Sequence, residues 1–245
     1  MNEIVYLSVV IPICNEADNI NELYQRLNEV MDYNHLDFEI IFVDDGSKDT
    51  SFKLLKNLRS QDTRIKIIKL ARKFGQAAAL LAGFEHAQGE IVLTMDGDLQ
   101  NKPEWIPIFI EKIKKGFDLV SGWRINRNDS LLKRRIPSRI MNWFISKRTG
   151  ITLHDYGCGF NAIKRDLIPL LKKYGRNARF MKPLLVENIE KVAVVEIDYV
   201  PREKGFSKYN LFNLAKTGLD FFINFSLKPK KKGNQQIFVI EKIIG

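Results

Sequence analysis

The chain has 245 residues, of which 45% are hydrophobic and 28% are charged, and its formal net charge is +10. This length suits one large domain or a domain with an appendage, and the hydrophobic content excludes a chain that is disordered throughout. Two cysteines exclude a disulfide framework, so we expect a reduced, cytoplasmic setting.

The first 115 residues alternate short apolar runs with segments of helical periodicity. The runs predict strands at 7–13, 38–43, 64–70 and 90–95, and the periodic segments predict helices at 17–32, 51–60, 75–87 and 103–115. Further strands are predicted at 117–121, 157–164 and 192–199. Such alternation predicts an α/β fold with a mostly parallel sheet and helices on both faces.

Polar side chains follow three of the predicted strands at the point where each strand ends. They are Asn15 and Glu16 after the first strand, Asp44 and Asp45 after the second, and Asp96 and Asp98 after the fourth. Ligands of open parallel sheets bind at the carboxyl ends of the strands. The three clusters therefore predict a binding site along one edge of the sheet.

Two of these clusters have a chemical interpretation and a structural alternative. Asp96 and Asp98 offer the hard oxygen ligands that Mg²⁺ and Mn²⁺ prefer, although D-G-D is also a good turn sequence. Asp44 and Asp45 could accept hydrogen bonds from a nucleobase or ribose, or Asp45 or Ser47 could cap the next helix.

The remaining motifs limit the classes of active site that the sequence supports. The sequence contains no G-x-G-x-x-G, no Walker A motif and no G-x-S-x-G, which argues against the usual dinucleotide, P-loop and serine hydrolase sites. Asp155, in HDYGCGF, is a candidate general base or a turn residue. The segment from Arg202 to Lys208 is a phosphate-gripping loop or a charged linker.

The positive charge is concentrated in two segments. Residues 123–149 carry eight Lys and Arg against one Asp, and residues 200–245 carry nine against three acidic residues. The stretches 131–149 and 208–227 combine apolar and basic residues at helical spacing, which is typical of helices in a membrane interface. No stretch reaches the roughly 18 apolar residues that would span a bilayer, so we expect peripheral association.

As a set, the motifs resemble the inverting glycosyltransferases of family 2, which have a GT-A fold. The matching segments are VVIPICNEADNI, FVDDGSKD, MDGDLQNKPE, HDYGCGF and REKGFSKY, in the order of the family. Within it, the chain is most similar to the polyprenyl-phosphate branch, which includes dolichol-phosphate mannose synthase and bacterial undecaprenyl-phosphate sugar transferases.

The resemblance implies a role for each motif residue. Pro12, Asn15 and Glu16 would line the nucleotide pocket, with Asp44 and Asp45 against the nucleobase and ribose. Asp96 and Asp98 would hold Mg²⁺ or Mn²⁺ on the donor diphosphate, Gln100 would lie beside them, and Arg202 and Lys208 would close over the diphosphate. Arg124 and Arg135 would grip the acceptor phosphate, and Asp155 would be the base or would orient the acceptor.

The resemblance also implies partners and a place of action. We expect a nucleotide-sugar donor (UDP-hexose first, GDP-mannose second), a polyprenyl phosphate acceptor and an anionic membrane surface on the cytoplasmic face. The implied process is synthesis of cell envelope polysaccharide, and a homo-oligomer is possible. We divide the chain into a catalytic domain at 1–206 and an amphipathic helix with a basic tail at 207–245, which lacks the membrane-spanning helices usual in the branch.

Two alternatives stay open at this point. One is a soluble family 2 enzyme that adds a sugar to a glycan hydroxyl, for which Asp155 would have to act as a true base. The other is a basic nucleic-acid-binding protein. We expect no nucleic acid partner, because the positive charge is confined to two segments and the sequence holds no recognised nucleic-acid motif.

Overall fold

The structure is a computed structural model that describes residues 6–125, 146–147, 150, 153–172, 174, 181–198 and 237–245. The strands are β1 (Leu7–Ile13), β2 (Phe38–Asp44), β3 (Ile65–Leu70), β4 (Ile91–Thr94), β5 (Leu119–Ile125), β6 (Asn161–Lys164), β7 (Val192–Asp198) and β8 (Ile240–Ile244). The helices are α1 (Ala17–Tyr33), α2 (Ser51–Gln61), α3 (Gln76–His86), α4 (Ile106–Lys114), α5 (Ile168–Lys172) and α6 (Met181–Val186), with 3-10 turns at Pro103–Trp105 and Arg165–Leu167.

The strands form one mixed sheet in the order β7-β5-β6-β4-β1-β2-β3-β8. The centre of the sheet, from β4 to β3, is parallel, as the alternation of strands and helices predicts. β6 and β8 run antiparallel to their neighbours. The prediction of an α/β sheet between helical layers is confirmed, and the antiparallel strands make the sheet mixed.

Hydrophobic side chains cover both faces of the sheet, because successive residues of a strand point to opposite sides. In β1, Val9 and Ile11 belong to one core with Leu23 of α1 and Phe109 of α4. Val10 belongs to the other core, where it lies with the alanine-rich helix α3 and with α5 and α6. This double burial explains why β1 and β2 read as continuous apolar runs.

The direction of β6 decides what lies at the carboxyl edge of the sheet. Thr94, the last residue of β4, pairs with Asn161, the first residue of β6. An antiparallel strand begins where its parallel neighbours end. The loop before β6, which contains Asp155, therefore lies at the same edge as Asp96 and Asp98, although about 60 residues separate them in the chain.

The last strand, β8, was not predicted from the sequence. It pairs antiparallel with β3 and closes that side of the sheet, and Lys69 of β3 binds Glu241 of β8 with an Nζ–Oε1 distance of 2.7 Å. Ile240 packs against the core on the α3 face. The apolar stretch near the end of the chain is thus an edge strand of the sheet.

A buried polar network connects the strands at the amino edge of the sheet. Glu39 accepts hydrogen bonds from the Ser8 hydroxyl at 2.6 Å, from the Gln88 main chain at 2.7 Å and from the Lys66 ammonium at 3.0 Å. Lys66 also donates to the His86 carbonyl at 3.0 Å. Each of these buried polar groups has a partner, so the network stabilises the fold without an external ligand.

Several predictions fall outside the described residues. They are the amphipathic stretch 131–149, of which the structure describes only residues 146 and 147, the stretch 208–227, and the domain boundary between 206 and 207. All three stay predictions. Within the part of the chain that the structure describes, no helix has the length and apolar character needed to cross a bilayer.

Candidate functional site

The loops after β1 and β2 are tied to each other at the carboxyl edge. Asn15, whose φ is +54°, donates its main-chain N–H to the Ser47 hydroxyl at 3.0 Å and accepts the Lys48 N–H at 2.7 Å. Glu16 donates its main-chain N–H to the Ser51 hydroxyl at 2.9 Å. Pro12 lies near the end of β1, where it is partly exposed and pairs with Val43 of β2. The two loops therefore form one rigid wall of the edge.

Asp44 and Asp45 have different environments although they are neighbours. Asp44 is fully buried, and its Oδ1 accepts the Ser47 N–H at 3.1 Å, whereas its Oδ2 accepts no hydrogen bond from the described residues. Asp45 accepts the N–H groups of Phe74, at 2.6 Å, and Gly75, at 2.9 Å. Burial raises the pKa of Asp45 and outweighs these hydrogen bonds, which favour the charged form.

This arrangement excludes the capping alternative for the second cluster. Helix α2 begins at Ser51 with Thr50 as its N-cap, so neither Asp45 nor Ser47 caps it. Asp45 instead holds the loop that leads into α3, whereas Asp44 presents an oxygen that lacks a donor. A buried carboxylate oxygen without a donor is costly unless a ligand supplies one.

Asp96 lies next to the loop that Asp45 holds. Gln76, the residue after Gly75, donates from Nε2 to Asp96 Oδ1 at 2.7 Å. Burial of the carboxyl group and the neighbouring charge of Asp98 raise the pKa of Asp96 to about 6, against the lowering effect of Arg124. Successive residues at the start of α3 thus bridge the carboxylates that follow β2 and β4.

The pair Asp96 and Asp98 fits a divalent cation by the chemistry of its donors. The two carboxylates destabilise each other's charge, and a cation bound between them would remove that cost. Asp98 Oδ1 accepts the Gln100 N–H at 3.2 Å, which fixes the turn around Leu99, whose φ is +61°. The described residues contain no cluster of three or more acidic, His or Cys ligands, so substrate oxygens or water would complete the coordination.

Asp155 and Arg124 form a bidentate ion pair beside Asp96. Arg124 Nε lies 2.7 Å from Asp155 Oδ2, and Arg124 Nη2 lies 3.0 Å from Asp155 Oδ1. Burial lowers the pKa of Arg124, but the hydrogen bonds and charge of Asp155 outweigh that effect and raise it. The N–H of Gly157 also donates to Asp155 Oδ1, at 3.2 Å. Arg124 and Asp155, for which the sequence suggested separate roles, therefore form one ion-paired unit.

Two contacts join this unit to Asp96 and the strand before it. Thr94 donates its hydroxyl to the Gly159 carbonyl at 2.7 Å, and Gly159 lies so close to Asp96 that an added Cβ would be 2.4 Å from Asp96 Oδ2. Asn161 donates to the Cys158 carbonyl at 3.2 Å. The side-chain oxygens Asp44 Oδ2, Asn101 Oδ1 and Asn161 Oδ1 are buried without a described partner, and all three belong to this edge.

Four residues of the site were not predicted from the sequence, and three residues that were predicted lie outside the described part of the chain. Gln76 contacts Asp96 and Lys182 contacts Asp155, whereas Thr94 and Asn161 hold the loop after Asp155 at Gly159 and Cys158. Only Gln76, next to the glycine before α3, had a local signal. Arg135, Arg202 and Lys208 lie outside the described residues, so their roles stay predictions.

A separate cleft lies at the opposite edge of the sheet, near the amino ends of β1 and β4. Its volume is about 840 Å³, and its lining includes Tyr6, Phe84, Glu90, Lys114 and Lys172. None of the predicted site residues lines this cleft, and ligands of such sheets bind at the carboxyl edge. The carboxyl edge is therefore the candidate active site.

The family model for "Glycosyl transferase family 2" matches residues 8–170, which is more than half of the chain and contains each described site residue from Pro12 to Asp155. The chain belongs to glycosyl transferase family 2. The family resemblance seen in the motifs is thus confirmed.

Two relatives have a polyprenyl phosphate in their names. The chain is 37% identical over 225 residues to an undecaprenyl-phosphate 4-deoxy-4-formamido-L-arabinose transferase of Pseudomonas fluorescens, covering 91% of this chain and 66% of the relative. It is 37% identical over 234 residues to a dodecaprenyl-phosphate galacturonate synthase of Rhizobium johnstonii, covering 91% of this chain and 69% of the relative. The chain thus spans about two thirds of the length of these relatives.

Solved structures show the same fold. The chain superimposes on glucosyl-3-phosphoglycerate synthase from Mycobacterium tuberculosis, in complex with Mn²⁺, UDP and glucosyl-3-phosphoglycerate, with a TM-score of 0.65. The sequence identity is 18%, and the match covers 90% of this chain and 78% of the synthase. The same synthase with Mg²⁺ and UDP also gives a TM-score of 0.65. At this identity the match supports the predicted GT-A fold alone.

Proposed function

We propose that this family 2 protein is an inverting, metal-dependent hexosyltransferase that moves a sugar from a nucleotide-sugar to a polyprenyl phosphate. The observation that carries the donor site is the edge of acidic groups, where Asp44 presents a buried oxygen without a donor and Asp96 and Asp98 repel each other. A nucleobase N–H would donate a hydrogen bond to that Asp44 oxygen, and a cation on a diphosphate would offset the repulsion between Asp96 and Asp98.

Asp96 and Asp98 would hold the cation, which would supply electrostatic stabilisation to the departing diphosphate. The wall formed by Pro12, Asn15 and Glu16 would enclose the nucleoside, with Gln100 at the entrance of the metal site. Asp45 acts through the loop it holds, because its carboxylate is engaged by Phe74 and Gly75. Either UDP-hexose or GDP-mannose presents a nucleobase N–H to Asp44, and UDP-hexose stays our first proposal.

The ion pair of Arg124 and Asp155 supports a phosphate acceptor over a hydroxyl acceptor. A phosphate monoester is already a nucleophile near neutral pH, so it needs positioning more than loss of a proton. Both Asp155 oxygens accept hydrogen bonds from Arg124, and Gly157 adds another, which favours an orienting role over that of a base. Arg124 Nη1 takes no part in the pair and would face the acceptor phosphate.

The names of the two relatives support the same acceptor class, since both act on a polyprenyl phosphate. Work on a membrane-linked substrate supports a place at the membrane surface. The choice of the cytoplasmic face and of the sugar belongs to this proposal.

The test begins with a panel of UDP- and GDP-sugars, with and without Mn²⁺, in a thermal-shift assay, because a ligand of the folded state raises the melting temperature. We expect stabilisation by one nucleotide class that requires the metal and disappears in Asp98→Asn. Transfer of labelled sugar to undecaprenyl phosphate and to a glycan acceptor then separates the two acceptors. Stabilisation that persists in Asp98→Asn contradicts the metal site, and transfer to the glycan alone contradicts the acceptor.

A further inference from the structure

Lys182 is a buried cation in the site that neither the motifs nor the family match singles out. It lies on α6, only 3% of its surface is exposed, and its ammonium donates to the main-chain carbonyl of Asp155 at 2.7 Å. Fully buried lysines are rare because loss of hydration destabilises the charge. A neutral donor could satisfy a carbonyl, so the cation needs another explanation.

The surroundings of Lys182 supply that explanation. Asp155 and Asp96 are the carboxylates whose charges act on its ammonium, together with the charge of Arg124 and the thiol of Cys158. Burial lowers the pKa of Lys182, and the two carboxylates oppose that effect. A cation at this position therefore offsets negative charge at the point where the metal-binding pair meets the Asp155 loop.

The contact also anchors the loop at a second point, distinct from the one that Arg124 holds. Arg124 holds the Asp155 side chain, whereas Lys182 holds its main chain, and the same carbonyl accepts the Cys158 N–H at 3.3 Å. Together they define both the position and the orientation of the Asp155 carboxylate. Release of the main chain would let the carboxylate and the guanidinium move together.

We propose that Lys182 is a positioning residue of the transfer site, whose ammonium fixes the Asp155 loop so that Asp155 and Arg124 present the acceptor in reactive geometry. The inference rests on the proposed function and adds a residue to it. Lys182 acts through Asp155 and takes no proton from the reactants.

The experiment compares Lys182→Met and Lys182→Gln with a matched control, Lys66→Met. Lys66 also has a largely buried ammonium that donates to a main-chain carbonyl, but it lies at the amino edge of the sheet. We expect both Lys182 variants to lose at least about tenfold in kcat/KM for the acceptor, because small displacements of positioning groups cost that much. Lys66→Met should lower the melting temperature and leave kcat/KM within about twofold.

Amide hydrogen exchange gives a readout that does not depend on activity. The Gly157 and Cys158 N–H groups bond to Asp155, so both should exchange at least about tenfold faster in the Lys182 variants and stay unchanged in Lys66→Met. Lys182→Gln keeps a polar group and tests the charge if the Met variant fails to fold.

The proposal is overturned if the folded Lys182 variants keep wild-type kcat/KM and lose only melting temperature, which would mean a structural role. Unchanged exchange at Gly157 would also overturn it. If the wild-type protein transfers no sugar to polyprenyl phosphate, the proposed function fails, while the exchange rates still decide whether Lys182 holds the loop.

Discussion

Single residues of the site differ in how much they need a ligand. Asp45 and Asp155 have their oxygens engaged by protein donors, whereas Asp44 has an oxygen without one and Asp96 is held against the charge of Asp98. The protein donors hold Asp45 and Asp155 in place, and under the proposed function Asp44 would bind the nucleotide and Asp96 the cation. This division could not be read from the sequence, where the acidic residues look alike.

A substitution at Gly159 would test whether Asp96 needs the close approach of the main chain at that position. An alanine Cβ there would lie 2.4 Å from Asp96 Oδ2, so Gly159→Ala should displace the carboxylate and weaken Mn²⁺-dependent nucleotide binding by about tenfold or more. Titration of the ligand followed by thermal shift measures this.

Gly157→Ala is the matched control for Gly159→Ala in the same loop. Its Cβ would have no neighbour closer than 3.5 Å, which is an ordinary contact. We expect its nucleotide affinity to stay within about twofold of wild type. Equal affinities of the two variants would show that the Asp96 carboxylate is not confined by the loop.

The raised pKa of Asp96 predicts opposite effects of pH on stability and on ligand binding. The pKa is about 6 in the folded protein against an ordinary value of 3.8, so between these values the metal-free folded state holds more protons than the unfolded state. Stability from this group is therefore lost as pH rises from about 4 to 6. Cation binding needs the ionised carboxylate and should strengthen over pH 5–7.

Urea unfolding of wild type and Asp96→Asn in EDTA, at several pH values, isolates this group. The free energy of unfolding of the variant, relative to wild type, should increase by at most about 3 kcal/mol from pH 4 to pH 7, because Asp96 is partly exposed. A difference that does not vary with pH would contradict the raised pKa.

The two antiparallel strands, β6 and β8, have different effects on the sheet. β6 brings the start of a strand to the edge where the parallel strands end, and so carries the Asp155 loop to the pair Asp96 and Asp98. β8 covers the edge of β3, which would otherwise expose unpaired main-chain groups. Pairing depends on residues far apart in the sequence, so strand period alone does not reveal it.

Removal of residues 237–245 should therefore destabilise the catalytic sheet itself. Loss of β8 uncovers the edge of β3 and the apolar contact of Ile240, so we expect the free energy of unfolding to fall by about 2 kcal/mol or more, with aggregation. Urea unfolding and light scattering measure the two effects.

Glu241→Ala provides the comparison for that deletion. The Glu241–Lys69 ion pair is partly exposed, so its loss should cost under about 1 kcal/mol. A truncated protein as stable as wild type would show that β8 contributes nothing to the sheet.

At the scale of the whole molecule, the positive charge is unevenly distributed along the sequence. The basic excess belongs to 123–149 and 200–245, whereas the rest of the chain has a net charge of −3. Such a distribution favours an anionic surface as a partner, with basic residues contributing about 1 kcal/mol each near anionic lipid.

We expect the protein to co-sediment with phosphatidylglycerol vesicles at low salt and not with phosphatidylcholine vesicles. Replacing Lys230, Lys231 and Lys232 by Gln should weaken the binding about tenfold or more, as should high salt, because both reduce electrostatic attraction. Equal binding to neutral vesicles would point to the apolar faces instead, and no binding would contradict the predicted membrane surface.

The central sheet, the helices on its faces and the edge where the acidic residues gather could all be predicted from the amino-acid sequence. Local signals were sufficient there, because hydrophobic period sets the elements and parallel strands all end at one edge. Three-dimensional packing was needed to see which carboxylates accept hydrogen bonds from the protein, that Arg124 pairs with Asp155, and that Lys182 contacts Asp155 from α6. Those contacts join residues from 27 to 31 positions apart, and such pairings depend on packing and on strand direction, which local patterns do not encode.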